Sequence, residues 1–310
     1  ETGFRASLQS SFGSDQDQDS SFDLNLFKNS LDISYGGGKI SAKAYAFSHE
    51  ANGMSAVIGP ELDPFSHYNI GASMQFKPNT QFDIRSGYDR SSINSDYDNS
   101  FPLEDANFKL ITSMDRFHIS PNYNYTNGGA SLKFGYQKIA RDFQSAYPFQ
   151  TQGENTQIEL NNRYVFGSKF YSVVGTLYQK QKADYEGGQE LSQTDFFGNV
   201  VAVVSDRFRV NIGGRLNSHS SYGNQFTYSI NPSFQLVQND KQSLKFLGAL
   251  SSAFIAPSLY QLYDPYSGNE DLEPEENTSF ETGLEKTVKW YIDNSNWWRP
   301  LLKNNNIGIR

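Results

Sequence analysis

Hydrophobic and polar residues alternate with a period of two along most of this chain. Between Tyr68 and Lys77, one set of alternate positions is largely apolar and the other is polar or small. The apolar set is Tyr68, Ile70, Ala72, Met74 and Phe76, and the polar set is Asn69, Gly71, Ser73, Gln75 and Lys77. Successive side chains of a β-strand point to opposite faces, whereas helical patterns repeat at three and four. The pattern predicts strands with one apolar and one polar face, and no convincing helical stretch is found.

The polar face is charged in some of these strands. From Arg207 to Leu216 it consists of Arg207, Arg209, Asn211, Gly213 and Arg215, and the other face of Phe208, Val210, Ile212, Gly214 and Leu216. Because charge on a lipid-facing position is costly, these cations fit the wet lumen of a membrane barrel. The alternative is the solvated face of an ordinary antiparallel sheet.

Short and long connections between the predicted strands alternate along the chain. Tight-turn residues occur at Gly36–Gly38, Pro78–Thr80, Asn127–Gly129, Gly167–Ser168, Ser205–Asp206 and Asn239–Asp240. Longer polar segments separate them at 49–66, 90–107, 143–155, 183–194, 218–225 and 255–275. In an up-and-down barrel this order places every long loop on one rim, as in outer-membrane barrels.

The predicted fold is therefore all-β: an antiparallel, up-and-down transmembrane β-barrel with about fourteen strands up to Lys286. A soluble β-sandwich also shows alternation, but its loops need not lie at one end.

The composition agrees with strands that have one wet and one lipid-facing side. Only 37% of the residues are hydrophobic and the mean hydropathy is −0.62, yet 15% are aromatic. No run of about 18 apolar residues exists, so a transmembrane helix is not predicted. The net charge of −8 argues against nucleic acid as a partner, and the absence of cysteine removes thiolate chemistry.

The two ends of the chain differ from the rest. Residues 1–289 are predicted to form the partial barrel, whereas 290–310 do not alternate and include Pro300, which is unfavourable in a central strand. We expect this tail to be truncated or irregular. Because Glu1–Phe4 already has strand character and no signal peptide opens the chain, we expect the chain to start inside a longer precursor.

Residues 254–283 carry a long motif with fixed spacing. It comprises Phe254-Ile255-Ala256-Pro257-Ser258-Leu259-Tyr260-Gln261-Leu262-Tyr263, Gly268-Asn269, Leu272-Glu273-Pro274-Glu275 and Phe280-Glu281-Thr282-Gly283. It closely resembles the barrel signature of TonB-dependent outer-membrane receptors. Ile255 replaces the usual Lys or Arg, and Glu276-Asn277 replaces a more usual Lys-Ser pair.

This resemblance implies a ligand-gated importer of a scarce nutrient in the outer membrane, and no catalysis. Family members have a plug domain inside a barrel of twenty-two strands, and the TonB energy complex of the inner membrane pulls on that plug. This chain lacks the plug and about eight of those strands, so we expect that it does not close a barrel alone. Outer-membrane lipid is an expected partner.

Candidate ligand-binding residues lie in the predicted loop 255–275. Tyr260, Tyr263, Tyr266 and Asn269 are predicted to project toward the ligand. Pro257, Leu262, Leu272 and Pro274 are predicted to shape the loop instead.

A weaker resemblance links the chain to the cobalamin-receptor branch, in which external loops two and three hold calcium. The matching acids here are Glu61, Asp63, Asp98 and Asp105, and calcium prefers several oxygen ligands from flexible loops. Ser55 stands where a further Asp is expected. The resemblance implies cobalamin or a related corrinoid as ligand and calcium as cofactor; the alternative is that these acids are merely solvated.

No pattern for an enzyme is found. The four histidines, His49, His67, His118 and His219, are isolated, and no catalytic or phosphate-binding motif appears. His49 and His67 flank loop two, where a metal or haem is an alternative ligand. The run Asp15–Asp19 is predicted to be a solvated loop tip. Uptake of a ferric siderophore or haem and a passive porin remain alternatives to corrinoid import.

Overall fold

The computed structural model describes residues 2–14, 23–53, 55, 57, 62–239 and 243–286. Fourteen strands form one antiparallel sheet, and each strand pairs with the next along the chain. The strands are β1 (Gly3–Gly13), β2 (Leu26–Gly37), β3 (Ile40–Ala51), β4 (Phe65–Phe76), β5 (Phe82–Ser100), β6 (Leu103–Tyr125), β7 (Gly128–Gln144), β8 (Phe149–Val165), β9 (Phe170–Ala183), β10 (Gln189–Val203), β11 (Phe208–His219), β12 (Gly223–Gln238), β13 (Ser243–Ile255) and β14 (Glu275–Lys286). A single-turn 3-10 helix (Tyr185–Gly187) and helix α1 (Leu259–Tyr263) complete the described elements.

The predicted all-β, up-and-down architecture is confirmed. Within the described residues, β1 pairs only with β2 and β14 only with β13, so the sheet is not closed. None of the described helices is long and apolar enough to span a membrane. The predicted tail 290–310, the run Asp15–Asp19 and Glu61 lie outside the described residues.

All six predicted short turns lie between consecutive strands, and Asp240 of the sixth turn is outside the described residues. At three of them the backbone has a positive φ, 52° at Gly38, 67° at Asn127 and 79° at Gly167, and glycine and asparagine tolerate this conformation best. These turns all lie at the same end of the meander, which we call the turn end; the opposite end is the loop end.

Four of the predicted long loops are mostly strand. The polar segments 90–107, 143–155, 183–194 and 218–225 contain connections of only 101–102, 145–148, 184–188 and 220–222. Polar side chains on both faces indicate exposure to water, but they do not prevent the backbone from pairing. β6 has 23 residues, which is about twice the 9–11 that a strand needs to cross a bilayer.

The register assigns every strand residue to one of two faces. The apolar face is solvent-exposed in the chain alone: Leu8 is 77% exposed, Ile70 54% and Phe226 64%. Tyr123, Tyr125, Tyr164 and Phe166 form an aromatic group on this face at the turn end. A wide exposed apolar band bordered by aromatic rings fits a bilayer, and we call this the outward face.

The opposite, lumen face carries cross-strand ion pairs. Arg116 and Asp89 approach to 2.7 Å, and Lys133 and Glu159 to 3.0 Å. Lys43 and Asp32 approach to 2.6 Å, and Arg215 and Asp195 to 3.4 Å. A polar, ion-paired inner wall is what a water-filled or protein-filled lumen requires.

Candidate ligand-binding mouth

The segment 256–274 between β13 and β14, here called the mouth loop, begins with a short capped helix. The Ser258 hydroxyl accepts a hydrogen bond from the Gln261 amide at 3.3 Å, and the Ser258 amide donates to the Gln261 side chain at 2.9 Å. This capping box satisfies backbone donors at the start of α1.

Helix α1 folds inward onto the lumen wall. Leu259 and Leu262 are 6% and 4% exposed, and they pack with Leu191 of β10, which is 5% exposed. Ala183, Tyr263 and Leu272 pack around them. The mouth loop leaves β13 and therefore passes β12 and β11 to reach β10. These three leucines are the buried apolar core of the described residues.

The second half of the mouth loop is a sequence of tight turns. The Asp264 carboxylate accepts hydrogen bonds from the amides of Tyr266 (3.1 Å) and Ser267 (2.9 Å). A Cβ at Gly268 would lie 2.6 Å from the carbonyl oxygen of Asp264, so only glycine fits there. The Asn269 amide donates to the carbonyl of Gln261 at 2.8 Å, which closes the turn back onto α1.

Two further contacts attach the mouth loop to other strands. The Tyr222 hydroxyl donates to the carbonyl of Leu272 at 2.9 Å. The ring of Tyr266 meets Phe149 edge-on, with centroids 6.0 Å apart, and Phe149 in turn lies 6.3 Å from Phe143. Burial, with Glu273 and then Tyr263 nearby, raises the pKa of Tyr222 above its ordinary value. Tyr222 therefore keeps its hydroxyl proton to a higher pH than an ordinary tyrosine does.

The predicted ligand-binding residues have different surroundings in the mouth loop. Tyr260 and Tyr266 are 58% and 74% exposed, whereas Tyr263 packs on the leucine cluster. The Asn269 side-chain oxygen accepts the Asp271 amide at 3.0 Å, within its own turn. Two of the four residues, Tyr260 and Tyr266, are thus mostly exposed, and the Tyr266 ring also contacts Phe149.

The segment that follows β3 meets the far end of β5 at Asp98. This residue occupies an irregularity of β5, where the register shifts between Tyr97 and Asn99. Its carboxylate accepts from the Ser55 hydroxyl (2.9 Å), the Val57 amide (3.0 Å) and the Ala106 amide (3.1 Å). Asp98 therefore joins loop two to loop three.

The other described calcium candidates, Asp63 and Asp105, have different surroundings. Asp63 is half-buried beside Gly53, where φ is +72° and a Cβ would lie 1.8 Å from the Asp63 carbonyl oxygen. Asp105 is exposed on β6. Among the described residues no group of three His, Cys, Asp or Glu side chains is close enough to hold a metal; Glu61 is not one of those residues.

The lumen wall contains two further polar features, of which the sequence had predicted the nearness of His49 and His67 but not the contact of Asp195 with Arg215. His49 and His67 face each other across β3 and β4, and His67 lies 3.0 Å from the Ser91 hydroxyl. Asp195 is fully buried; it accepts from Gln193 at 3.1 Å and lies 3.4 Å from the Arg215 guanidinium, which sits 5.3 Å from the Phe197 ring centroid.

Sequence analysis missed the residues that receive the mouth loop: Leu191, Tyr222 and Phe149. A signal existed for Leu191, because it is apolar at a lumen-face position where the alternation predicts a polar residue. No local pattern identified Tyr222 or Phe149.

A family model described as "TonB dependent receptor-like, beta-barrel" matches residues 4–299. A vitamin B12 transporter, BtuB, of Vibrio cholerae is 30% identical over 210 residues, which is 63% of this chain and 33% of that protein. BtuB of Photobacterium profundum is 24% identical over 192 residues, which is 61% of this chain and 28% of that protein. The chain therefore spans about a third of the length of these relatives.

Solved structures show the same fold. The siderophore receptor PirA of Acinetobacter baumannii superposes with a TM-score of 0.75 at 14% identity, over 93% of this chain and 51% of that one. The copper transporter OprC superposes with a TM-score of 0.68 at 12% identity, over 93% of this chain and 52% of that one. The fourteen strands thus correspond to a part of a larger barrel.

Proposed function

Because this chain belongs to the TonB-dependent receptor-like β-barrel family, we propose that the complete protein imports cobalamin or a related corrinoid. Receptors of this family reside in the outer membrane and are not enzymes. The matches give no support to a passive porin. TonB-driven uptake through a plug domain is part of the proposal.

The observation that carries the proposal is the inward-folded mouth loop with its exposed tyrosines. Tyr260 and Tyr266 offer flat aromatic surfaces on a loop that is anchored by Leu259 and Leu262. Rigid aromatic side chains give a large contact area at low entropic cost. A corrinoid is a broad, largely planar ring, which suits such surfaces, and the curated relatives at 30% identity are named vitamin B12 transporters.

Calcium in loops two and three is a second part of the proposal. Asp98 already gathers both loops through Ser55, Val57 and Ala106. Calcium would replace these hydrogen bonds with oxygen–metal bonds from Asp98, Asp63, Asp105 and Glu61.

Equilibrium binding of cyanocobalamin to the complete gene product in detergent tests both parts. Tyr260→Ala with Tyr266→Ala is expected to weaken binding about tenfold or more. Tyr178→Ala, on the outward face, serves as the matched control and should change little. Absence of corrinoid binding to the unmodified protein would overturn the import proposal. Binding that a calcium chelator leaves unchanged would overturn the calcium site alone.

Haem or an iron chelate is a second candidate ligand, favoured by one observation. His49 and His67 lie opposite each other on the lumen face, close to loop two. Haem titration monitored by its Soret band, with His49→Gln and His67→Gln, separates this candidate from corrinoid binding. A Soret shift that disappears in both variants would favour haem.

A further inference from the structure

A patch of half-buried primary amides covers part of the lumen face on four neighbouring strands, β7–β10. Every member is the direct register partner of another member on the next strand. The patch, here called the amide patch, consists of Gln137, Asn155, Gln157, Gln179, Gln181 and Gln193. Gln137 is also the register partner of Arg116, which places the patch on the lumen face. Three spacings between strands make the patch about 14 Å wide.

The amide patch adjoins the place where the mouth loop rests on the wall. Leu191, which packs against α1, is the register partner of Gln181. On β8, Phe149 contacts the ring of Tyr266 and shares its face with Asn155. A ligand that lies under the mouth loop and against this wall therefore meets the amides.

The amide patch has hydrogen-bonding groups that the wall itself does not use. Each primary amide supplies two N–H donors and an acceptor oxygen with two lone pairs. The Gln179 amide donates to the Asn155 side-chain oxygen at 3.2 Å. Within the part of the chain that the structure describes, the side chains of Gln157 and Gln181 form no hydrogen bond. These two amides flank the bonded pair, and their donors and acceptors are available to a ligand.

The amide patch is uncharged, and the charges next to it are neutralised. The charged lumen residues that border the patch are each in an ion pair, Arg116 with Asp89, Glu159 with Lys133 and Asp195 with Arg215. An anionic iron chelate is best bound by unpaired cations. This surface instead suits a neutral ligand that both donates and accepts hydrogen bonds. The carboxamide side chains at the edge of a corrinoid have the same donors and acceptors as glutamine and asparagine.

We propose that the amide patch binds the carboxamide side chains of a corrinoid, with Gln157 and Gln181 as the principal contacts. The assignment rests on the proposed function and names the part of the ligand that the lumen wall recognises. An acceptor that loses its donor on binding is left desolvated and unpaired, which costs free energy. The patch therefore selects against a corrinoid whose side chains cannot donate hydrogen bonds.

Equilibrium binding of two corrinoids to the complete gene product in detergent tests the amide patch. Dicyanocobinamide carries carboxamides, whereas dicyanocobyrinic acid heptamethyl ester carries esters on the same ring, and esters accept hydrogen bonds but do not donate them. The unmodified protein is expected to bind dicyanocobinamide about tenfold more tightly than the ester. Gln157→Met with Gln181→Met should weaken dicyanocobinamide binding about tenfold and ester binding little, because only the carboxamides use these contacts.

Gln9→Met with Gln75→Met is the matched control, since both residues are lumen-face amides outside the patch, on β1 and β4. It should leave the affinity for both corrinoids unchanged. Heat-modifiable gel mobility checks that each variant is folded.

Two kinds of failure are distinguishable. Equal affinity of the unmodified protein for the two corrinoids would overturn the amide patch without any variant. Unchanged dicyanocobinamide affinity in Gln157→Met with Gln181→Met, or an equal loss in the control, would also overturn it, and corrinoid import would still stand. If the unmodified protein binds neither dicyanocobinamide nor cyanocobalamin, the proposed function itself is wrong.

Discussion

The Tyr222 hydroxyl donates a hydrogen bond to the backbone carbonyl of Leu272 at 2.9 Å, across 50 residues of sequence. It connects the short β11–β12 hairpin to the far end of the mouth loop. Together with the leucine cluster it holds this loop over the lumen rather than above the membrane.

Removing this hydrogen bond should loosen the mouth loop without unfolding the barrel. Tyr222→Phe is expected to reduce the local stability by about 1 kcal/mol, so amides of 268–273 should exchange with solvent roughly fivefold faster. Hydrogen–deuterium exchange measures this. Tyr260→Phe, at an exposed ring, is the control. Unchanged exchange in Tyr222→Phe would contradict the role of the hydroxyl.

Alkaline pH should have the same effect as Tyr222→Phe. Because burial raises the pKa of Tyr222, its neutral form is favoured in the folded protein. That contribution is fully present below the ordinary tyrosine pKa of about 10 and is lost as pH rises through the raised value. The protection factors of amides 268–273, which correct for base-catalysed intrinsic exchange, should therefore fall above that range in the unmodified protein. Tyr222→Phe should lack this step.

The leucine cluster should stabilise the mouth loop more than the hydrogen bond from Tyr222 to Leu272 does. Leu262→Ala removes a side chain that is 4% exposed, and such truncations cost about 2–5 kcal/mol when the site cannot collapse. We expect the whole mouth loop to become sensitive to protease, with the strands intact. Leu132→Ala, on the lipid-facing side, provides the comparison. If the mouth loop of Leu262→Ala resists protease as well as the unmodified loop does, packing against Leu191 does not anchor the loop.

The contribution of each lumen ion pair to the free energy of unfolding should depend on how deeply the pair is buried. Arg215→Gln leaves the fully buried Asp195 without its cation. Loss of one partner of a buried ion pair lowers the free energy of unfolding by several kcal/mol. Because Arg215 is 45% exposed, we expect a smaller loss of about 2 kcal/mol here. Lys43→Gln breaks a pair in which both partners are exposed and should cost about 0–1 kcal/mol. Urea unfolding in detergent, followed by heat-modifiable gel mobility, ranks the two. Equal midpoints would contradict the ranking.

Ser55 should control the metal dependence of loops two and three. Ser55→Asp replaces the hydroxyl that donates to Asp98 with a second carboxylate. When a chelator removes calcium, the two carboxylates should repel each other. When calcium is present, the variant should bind it about tenfold more tightly than the unmodified protein does. Calorimetric calcium titration measures this, with Ser55→Ala as control. Calcium affinity that is the same in both variants would contradict the site.

The sequence by itself determined the strands, their two faces and the turn-end connections. The period of two is a local property, and Gly38 and Asn127 occupy the positive-φ positions that the tight turns require. The motif in 254–283 also identified the family. The sequence did not predict that 90–107 continues as paired strand. Polar residues on both faces indicate exposure to water, and they do not distinguish a loop from a paired strand that is surrounded by water.

Only the tertiary structure decided which distant residues meet. The contact of Leu262 with Leu191 and the hydrogen bond from Ser55 to Asp98 each depend on strand register. Register is set jointly by turn lengths and by the pairing of all the strands. Alternation states which face a residue occupies, but not its neighbour on the next strand, so these sites cannot be derived from local pattern.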